Sequence, residues 1–188
     1  MNSKKYISDA VVTESRDFKG IGARIQQKAV MDELIKTVDS LIVANKHLDQ
    51  LKKLMFYNKN NLNLNLEGEK SDVKITKRLV RLIHGVVGIS TESSEMLEQL
   101  QKALKKEKVD LVNIGEEIGD HMWYCAIICD ELGLTFEELM KTNIKKLKER
   151  FKGKFTEHYA NSRDLKKERK ILEAKSATKR KKKVSKKK

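Results

Sequence analysis

The chain has 188 residues, 41 Lys and Arg against 27 Asp and Glu, a formal charge of +14, nine glycines and no proline. That length holds one domain with an appendage, and the scarcity of Gly and Pro excludes a β-sandwich or a doubly wound sheet, whose tight turns use them as punctuation. The charge excludes less than it suggests, because residues 166–188 carry a net +11 and the first 165 only +3. Residues 1–20 read as a short, weakly held helix interrupted at Gly20 and Gly22. From Ile21 to Tyr57, apolar residues such as Ile25, Val38, Ile42, Leu51 and Met55 recur at three- and four-residue steps, the period of an amphipathic helix. The Asn-rich stretch 58–72 reads as a loop despite its Leu62, Leu64 and Leu66 alternation.

Ser71 and Asp72 are candidate caps for a second long helix, whose stripe runs from Ile75 through Leu79, Val86 and Met96 to Leu104. Gly85 and Gly88 can loosen it or let a neighbour approach. A third stripe, Leu111, Ile114, Ile118, Met122, Cys125, Cys129 and Leu132, is expected to face the core and to stop at Gly133. Thr135 and Glu138 form a capping-box pair that opens a fourth helix, to about Arg150. Gly153 breaks the chain, and a last helix is expected over 163–174. The tail 175–188 has no apolar face to bury and is expected to be disordered. The polar start and the absence of an 18-residue apolar run predict a soluble, cytoplasmic protein with no membrane contact. Cys125 and Cys129, four residues apart in an apolar segment, read as reduced, buried thiols.

The informative chemistry is a pair of acid pairs. Glu92 and Glu95 stand three apart, as do Glu117 and Asp120, so each pair shares a helix face. Two like charges held side by side cost free energy unless a cation neutralises them. If the two helices are antiparallel neighbours, both pairs converge, and four oxygen donors without His or Cys suit a hard ion, Mg²⁺ or Mn²⁺. A solvated acidic face is the competing reading, since Glu14 with Asp17 and Glu95 with Glu98 match the same spacing in a chain that is 36% charged. A di-iron bundle is excluded: it needs Glu-x-x-His, and the four histidines follow Ala44, Arg81, Ile118 and Phe155 at that spacing. Downstream, Asn143, Lys146 and Arg150 share a face of the fourth helix, with Arg163 beyond. They read either as phosphate ligands or as a solvated basic face.

The runs HGVVGISTESSEMLEQL (84–100), VDLVNIGEEIGDHMWYCAII (109–128), TNIKKLKERFKGKF (142–155) and NSRDLKKE (161–168) resemble the MazG-like all-α nucleotide pyrophosphohydrolases, in their compact single-domain form. That family's signature is E-x-x-E, a spacer, then E-x-x-D. Here it reads Glu92-Ser-Ser-Glu95, twenty-one residues, then Glu117-Ile-Gly-Asp120. The resemblance implies an all-α, four-helix-bundle-like core. It divides the chain into an N-terminal helical extension and loop (1–72), a catalytic helical domain (73–174) and a basic tail (175–188).

It further implies that Glu92, Glu95, Glu117 and Asp120 hold Mg²⁺, with Mn²⁺ as a substitute, and that Asn143, Lys146, Arg150 and Arg163 contact the substrate. The implied reaction cleaves a ribo- or deoxyribonucleoside triphosphate between its α- and β-phosphates, with Glu92 or Glu95 taking the proton of the attacking water. A homodimer or homotetramer is the implied assembly. Trp123 and Tyr124 are candidates for stacking on a base, with core packing the stronger expectation for Trp123. His84 reads as a satisfied helix histidine. The alternative function is a helical nucleic-acid-binding or scaffolding protein that grips phosphate backbones through the tail.

Overall fold

A computed structural model describes residues 1–174, and the basic tail lies outside the described residues. These residues form eight α-helices and no strand: α1 Ser3–Val11, α2 Phe18–Ile25, α3 Lys28–Tyr57, α4 Lys77–Leu104, α5 Leu111–Leu132, α6 Phe136–Phe151, α7 Glu157–Asn161 and α8 Leu165–Glu173. The fold class is all-α, as expected. The helix predicted from Ile21 to Tyr57 is broken at Gln26 and Gln27, and Gly20 and Gly22 lie inside α2 rather than interrupting it.

Side chains set most helix starts. Asn2, Thr76, Asp110, Thr135, Thr156 and Asp164 each accept a hydrogen bond from a main-chain N–H of the first turn, relieving donors that have no helical partner. Thr76, not Ser71 or Asp72, caps α4, because the chain up to Ile75 stays non-helical and exposed. The capping box of Thr135 and Glu138 is complete. Gly133 ends α5 at φ +63°, a conformation that favours glycine.

The chain divides into two compact units, Gly22–Gly133 and Met1–Ile21 with the chain from Leu134. In the first unit α4 lies between α3 and α5 and is antiparallel to both. Glycines let α5 approach closely: a Cβ on Gly88 would run into the Tyr124 ring, and one on Gly85 into the Ile128 side chain. The unit's interior is unusually polar. Beside Val38, Ile42, Tyr124 and Cys129 it buries Lys52, Thr91, Glu92, Ser94, Gln99 and Glu117.

The apolar stripe expected to face the core from α5 is only partly buried: Cys129 is buried and Ile114 and Cys125 are half-buried. Leu111, Ile118, Met122 and Leu132 are exposed, and the buried face carries Glu117, Tyr124 and Cys129. Trp123 is 52% exposed, so core packing does not hold for it, whereas Tyr124 is 5% exposed. The two cysteines are free, Cys129 buried and Cys125 half-buried, and burial pushes both thiols up.

In the second unit α6 packs against α1 and α8. Ile144 and Phe151 of α6 are buried, as is Glu168 of α8.

Candidate metal centre

Helices α3, α4 and α5 all contribute to the acidic centre. Glu92 and Glu95 are one turn apart on α4, and the antiparallel α5 brings Glu117 opposite them. One carboxylate oxygen from each of the three lies within 4.8 Å of the others. Glu92 and Glu117 are buried and Glu95 is exposed, so the cluster is open on the Glu95 side. Asp120, one turn along α5, is exposed and stands outside this group.

The carboxylates are oriented by neighbours. Glu92 Oε1 accepts from Lys52 Nζ at 3.1 Å and from Thr91 Oγ1 at 3.1 Å. Glu117 Oε1 accepts from Asn113 Nδ2 at 2.6 Å, and Asn113 Oδ1 accepts from Gln99 Nε2 at 2.6 Å. Gln99 Oε1 in turn accepts from the Asp110 main-chain N–H at 3.1 Å. Such outer partners fix where ligand oxygens point.

The electrostatics show an excess of negative charge. Burial, reinforced by Glu95, pushes Glu117 up to about 7. Burial and then the Glu92 charge push Glu95 up. Burial alone would lower the Lys52 ammonium, but Glu92 and Asp49 outweigh it and hold that group above the ordinary lysine range. Carboxylates that retain protons more firmly than usual are responding to desolvation and to each other.

Lys52 and Asp49 are the residues that sequence reasoning missed. Lys52 is buried and donates to Thr91 Oγ1 at 2.8 Å as well as to Glu92. It pairs with Asp49 at 3.1 Å, and its ammonium lies 5.4 Å from the centroid of the Tyr124 ring. Its partners are 39 and 40 residues away, so no local spacing marks it. A groove of about 410 Å³ between α3 and α4 adjoins the centre, lined among others by Asn45, Lys46, Asp49, Lys53, Glu95 and Glu98.

His84 is not a satisfied histidine. Its ring stacks on Phe56 at 4.0 Å and meets Trp123 and Tyr124 edge-on, and its buried Nε2 has no hydrogen-bond partner among the described residues. Burial, with Lys52 adding, lowers its pKa.

The four predicted substrate contacts lie in the other unit. Arg150 and Arg163 are both engaged by the buried Glu168, through contacts of 2.8 and 2.7 Å and of 3.3 and 2.8 Å respectively. These charged forks hold Glu168 at about 2. Asn143 donates to the Tyr6 hydroxyl at 2.9 Å. Lys146, half-buried, makes no hydrogen bond or ion pair among the described residues. The tail invoked for nucleic-acid binding lies outside the described residues.

Glutamates from facing helices meet in one partly buried cluster that has the geometry to hold a cation. Residues 86–155, which carry both acidic motifs and α6, match the family model of the MazG nucleotide pyrophosphohydrolase domain. Over that segment the chain is similar to MazG-like proteins, and the match points to nucleotide pyrophosphohydrolysis as the general class of activity. No curated protein and no solved structure matches it. MazG-like proteins generally use a divalent metal, and the all-oxygen donor set of Glu92, Glu95 and Glu117 fits a hard divalent ion. No helix among the described residues is long and apolar enough to cross a membrane.

Proposed function

We propose that the chain is a Mg²⁺-dependent hydrolase that splits a ribo- or deoxyribonucleoside triphosphate between the α- and β-phosphates, giving the monophosphate and pyrophosphate. The observation that carries this reading is the convergence of Glu92, Glu95 and Glu117 within 4.8 Å, with Lys52 the one cation among the described residues that pairs with them. Mg²⁺, or Mn²⁺ in its place, supplies positive charge against the triphosphate oxygens and acidifies water. Glu92, Glu95 and Glu117 hold the ion, and Asp120 adds a further carboxylate from the next turn of α5.

Glu95 is the general base. It faces the open side of the cluster, where a water can reach it. Glu92 suits that role less, because one of its oxygens is already occupied by Lys52 Nζ. Glu95 takes a proton from water as the water oxygen attacks phosphorus, and the bond to the bridging oxygen breaks. Lys146, the unpaired cation of the basic set, binds phosphate, and Asn143 assists from the same helix face. Arg150 and Arg163 act mainly through Glu168, by fixing α8 against α6. The exposed apolar strip of Leu111, Val112, Ile118 and Met122 on α5 suits a second copy of the chain.

Pyrophosphate release from a panel of nucleoside triphosphates with Mg²⁺ tests the reading. Wild type is expected to release it, and Glu95→Gln or Asp120→Asn to slow it by about 10²-fold or more, the usual scale for a positioned proton acceptor or charge. An unchanged rate in both variants overturns it. A gel-filtration mass equal to one chain overturns the second-copy assignment.

A further inference from the structure

Lys52 has no place in the reaction just described, yet it is among the most buried charged groups of the chain. An ammonium is buried only where partners repay its desolvation. Here Thr91 Oγ1 at 2.8 Å, Glu92 Oε1 at 3.1 Å and Asp49 Oδ1 at 3.1 Å receive its protons, and the Tyr124 ring lies 5.4 Å away. It comes from α3, outside the matched segment 86–155, and reaches the first acidic pair from behind. Asp49 is shared with Lys53, so its charge is already answered from the groove side. The charge of Lys52 therefore falls mainly on Glu92.

We propose that Lys52 is a resident counter-cation of the carboxylate centre: it keeps the glutamates assembled without metal and weakens the hold of the protein on a divalent ion, leaving that ion exchangeable. The inference rests on the metal-centre reading above. Two physical effects give it a sign. A positive charge one carboxylate away from a dication repels it, and in a partly buried site this repulsion is far less screened than in water. Meanwhile Lys52 Nζ occupies Glu92 Oε1, so Glu92 presents chiefly its other oxygen. Lys52 is thus a positioning residue, acting through Glu92.

The test is direct Mn²⁺ binding to the full chain, read by the loss of free Mn²⁺ signal in electron paramagnetic resonance, alongside the melting temperature of the metal-free protein. Lys52→Gln keeps a donor for Glu92 and Thr91 but removes the charge. It is expected to bind Mn²⁺ at least about tenfold more tightly than wild type, and to melt at a lower temperature without metal. Lys52→Arg, which keeps the charge, is expected to bind as wild type does. Equal or weaker Mn²⁺ binding by Lys52→Gln, with wild type binding normally, overturns the inference and leaves the metal centre standing. Should Lys52→Gln fail to fold, Asp49→Asn replaces it: freeing Lys52 to bear wholly on Glu92 is expected to weaken Mn²⁺ binding, and tighter or unchanged binding overturns the inference. Absence of Mn²⁺ binding in every protein overturns the metal-centre reading itself.

Discussion

Each compact unit buries glutamate, and the two do so under opposite electrostatic terms. Glu168 is met by two guanidiniums and is held at about 2. Glu92, Glu95 and Glu117 share one ammonium, and Glu117 is pushed up to about 7. A buried acid whose partners are complete belongs to the architecture; a buried acidic group left with surplus charge marks a place where a cation is expected. Glu168 lies in a basic run and Glu92 beside serines, yet neither context shows whether the acid is paired, so the distinction is made by what the fold brings to them.

The sharpest test of that contrast is substitution on each side. Glu117→Gln removes charge from the surplus side, so steady-state assays should show pyrophosphate release falling by about 10²-fold or more, while urea unfolding shows no loss of stability. Glu168→Gln acts in reverse. It leaves two guanidiniums without their carboxylate, and unfolding should register a loss of about 3 kcal/mol, the lower end for breaking a buried pair because Arg163 is partly exposed. If both variants behave alike, the two clusters are not different in kind.

Acid titration probes the same contrast without mutation. Glu168 has its folded pKa depressed to about 2, so its stabilisation is full above its ordinary value near 4.5 and is lost as pH falls from there through about 2. Glu117 has its folded pKa raised to about 7, so without metal its contribution runs the other way: it favours folding below about 4.5 and is lost as pH rises through about 7. Unfolding curves of the metal-free protein against pH should show both slopes, the first absent in Glu168→Gln and the second in Glu117→Gln. The smallest effect expected is that of Thr135→Ala, about 1 kcal/mol from loss of the α6 cap, measurable as a shift in the urea midpoint. It touches neither cluster and sets the scale for a purely local change.

Much of the helix map was legible because capping and periodicity are local. Thr135 with Glu138, Gly133 and the spacing of apolar residues in α3 and α4 are all readable within a few residues. The phase of α5 was only half legible. Cys129 of its apolar stripe is buried and Glu117 and Tyr124 lie on an inward face, as their spacing suggested, but Leu111, Ile118 and Met122 of the same stripe are exposed. Three of the four acidic ligand candidates were found by spacing and do converge. Lys52 was hidden because one lysine among 41 basic residues carries no signal until its distant partners are known. Arg150 and Arg163 were visible as a basic set, but no spacing rule singled out Glu168, which occupies both.

The string of amides behind Glu117 has a direction. The Asp110 main-chain N–H donates to Gln99, the Gln99 amide to Asn113, and the Asn113 amide to Glu117. An amide group can be turned end for end, but a main-chain N–H cannot, so the first member dictates the orientation of each one after it. The N–H donor presented to Glu117 is thereby set by the backbone of the turn between α4 and α5. Lengthening that turn by one residue would move the starting donor, reverse or sever the string, and leave Glu117 free to rotate, although no residue of the centre had been changed.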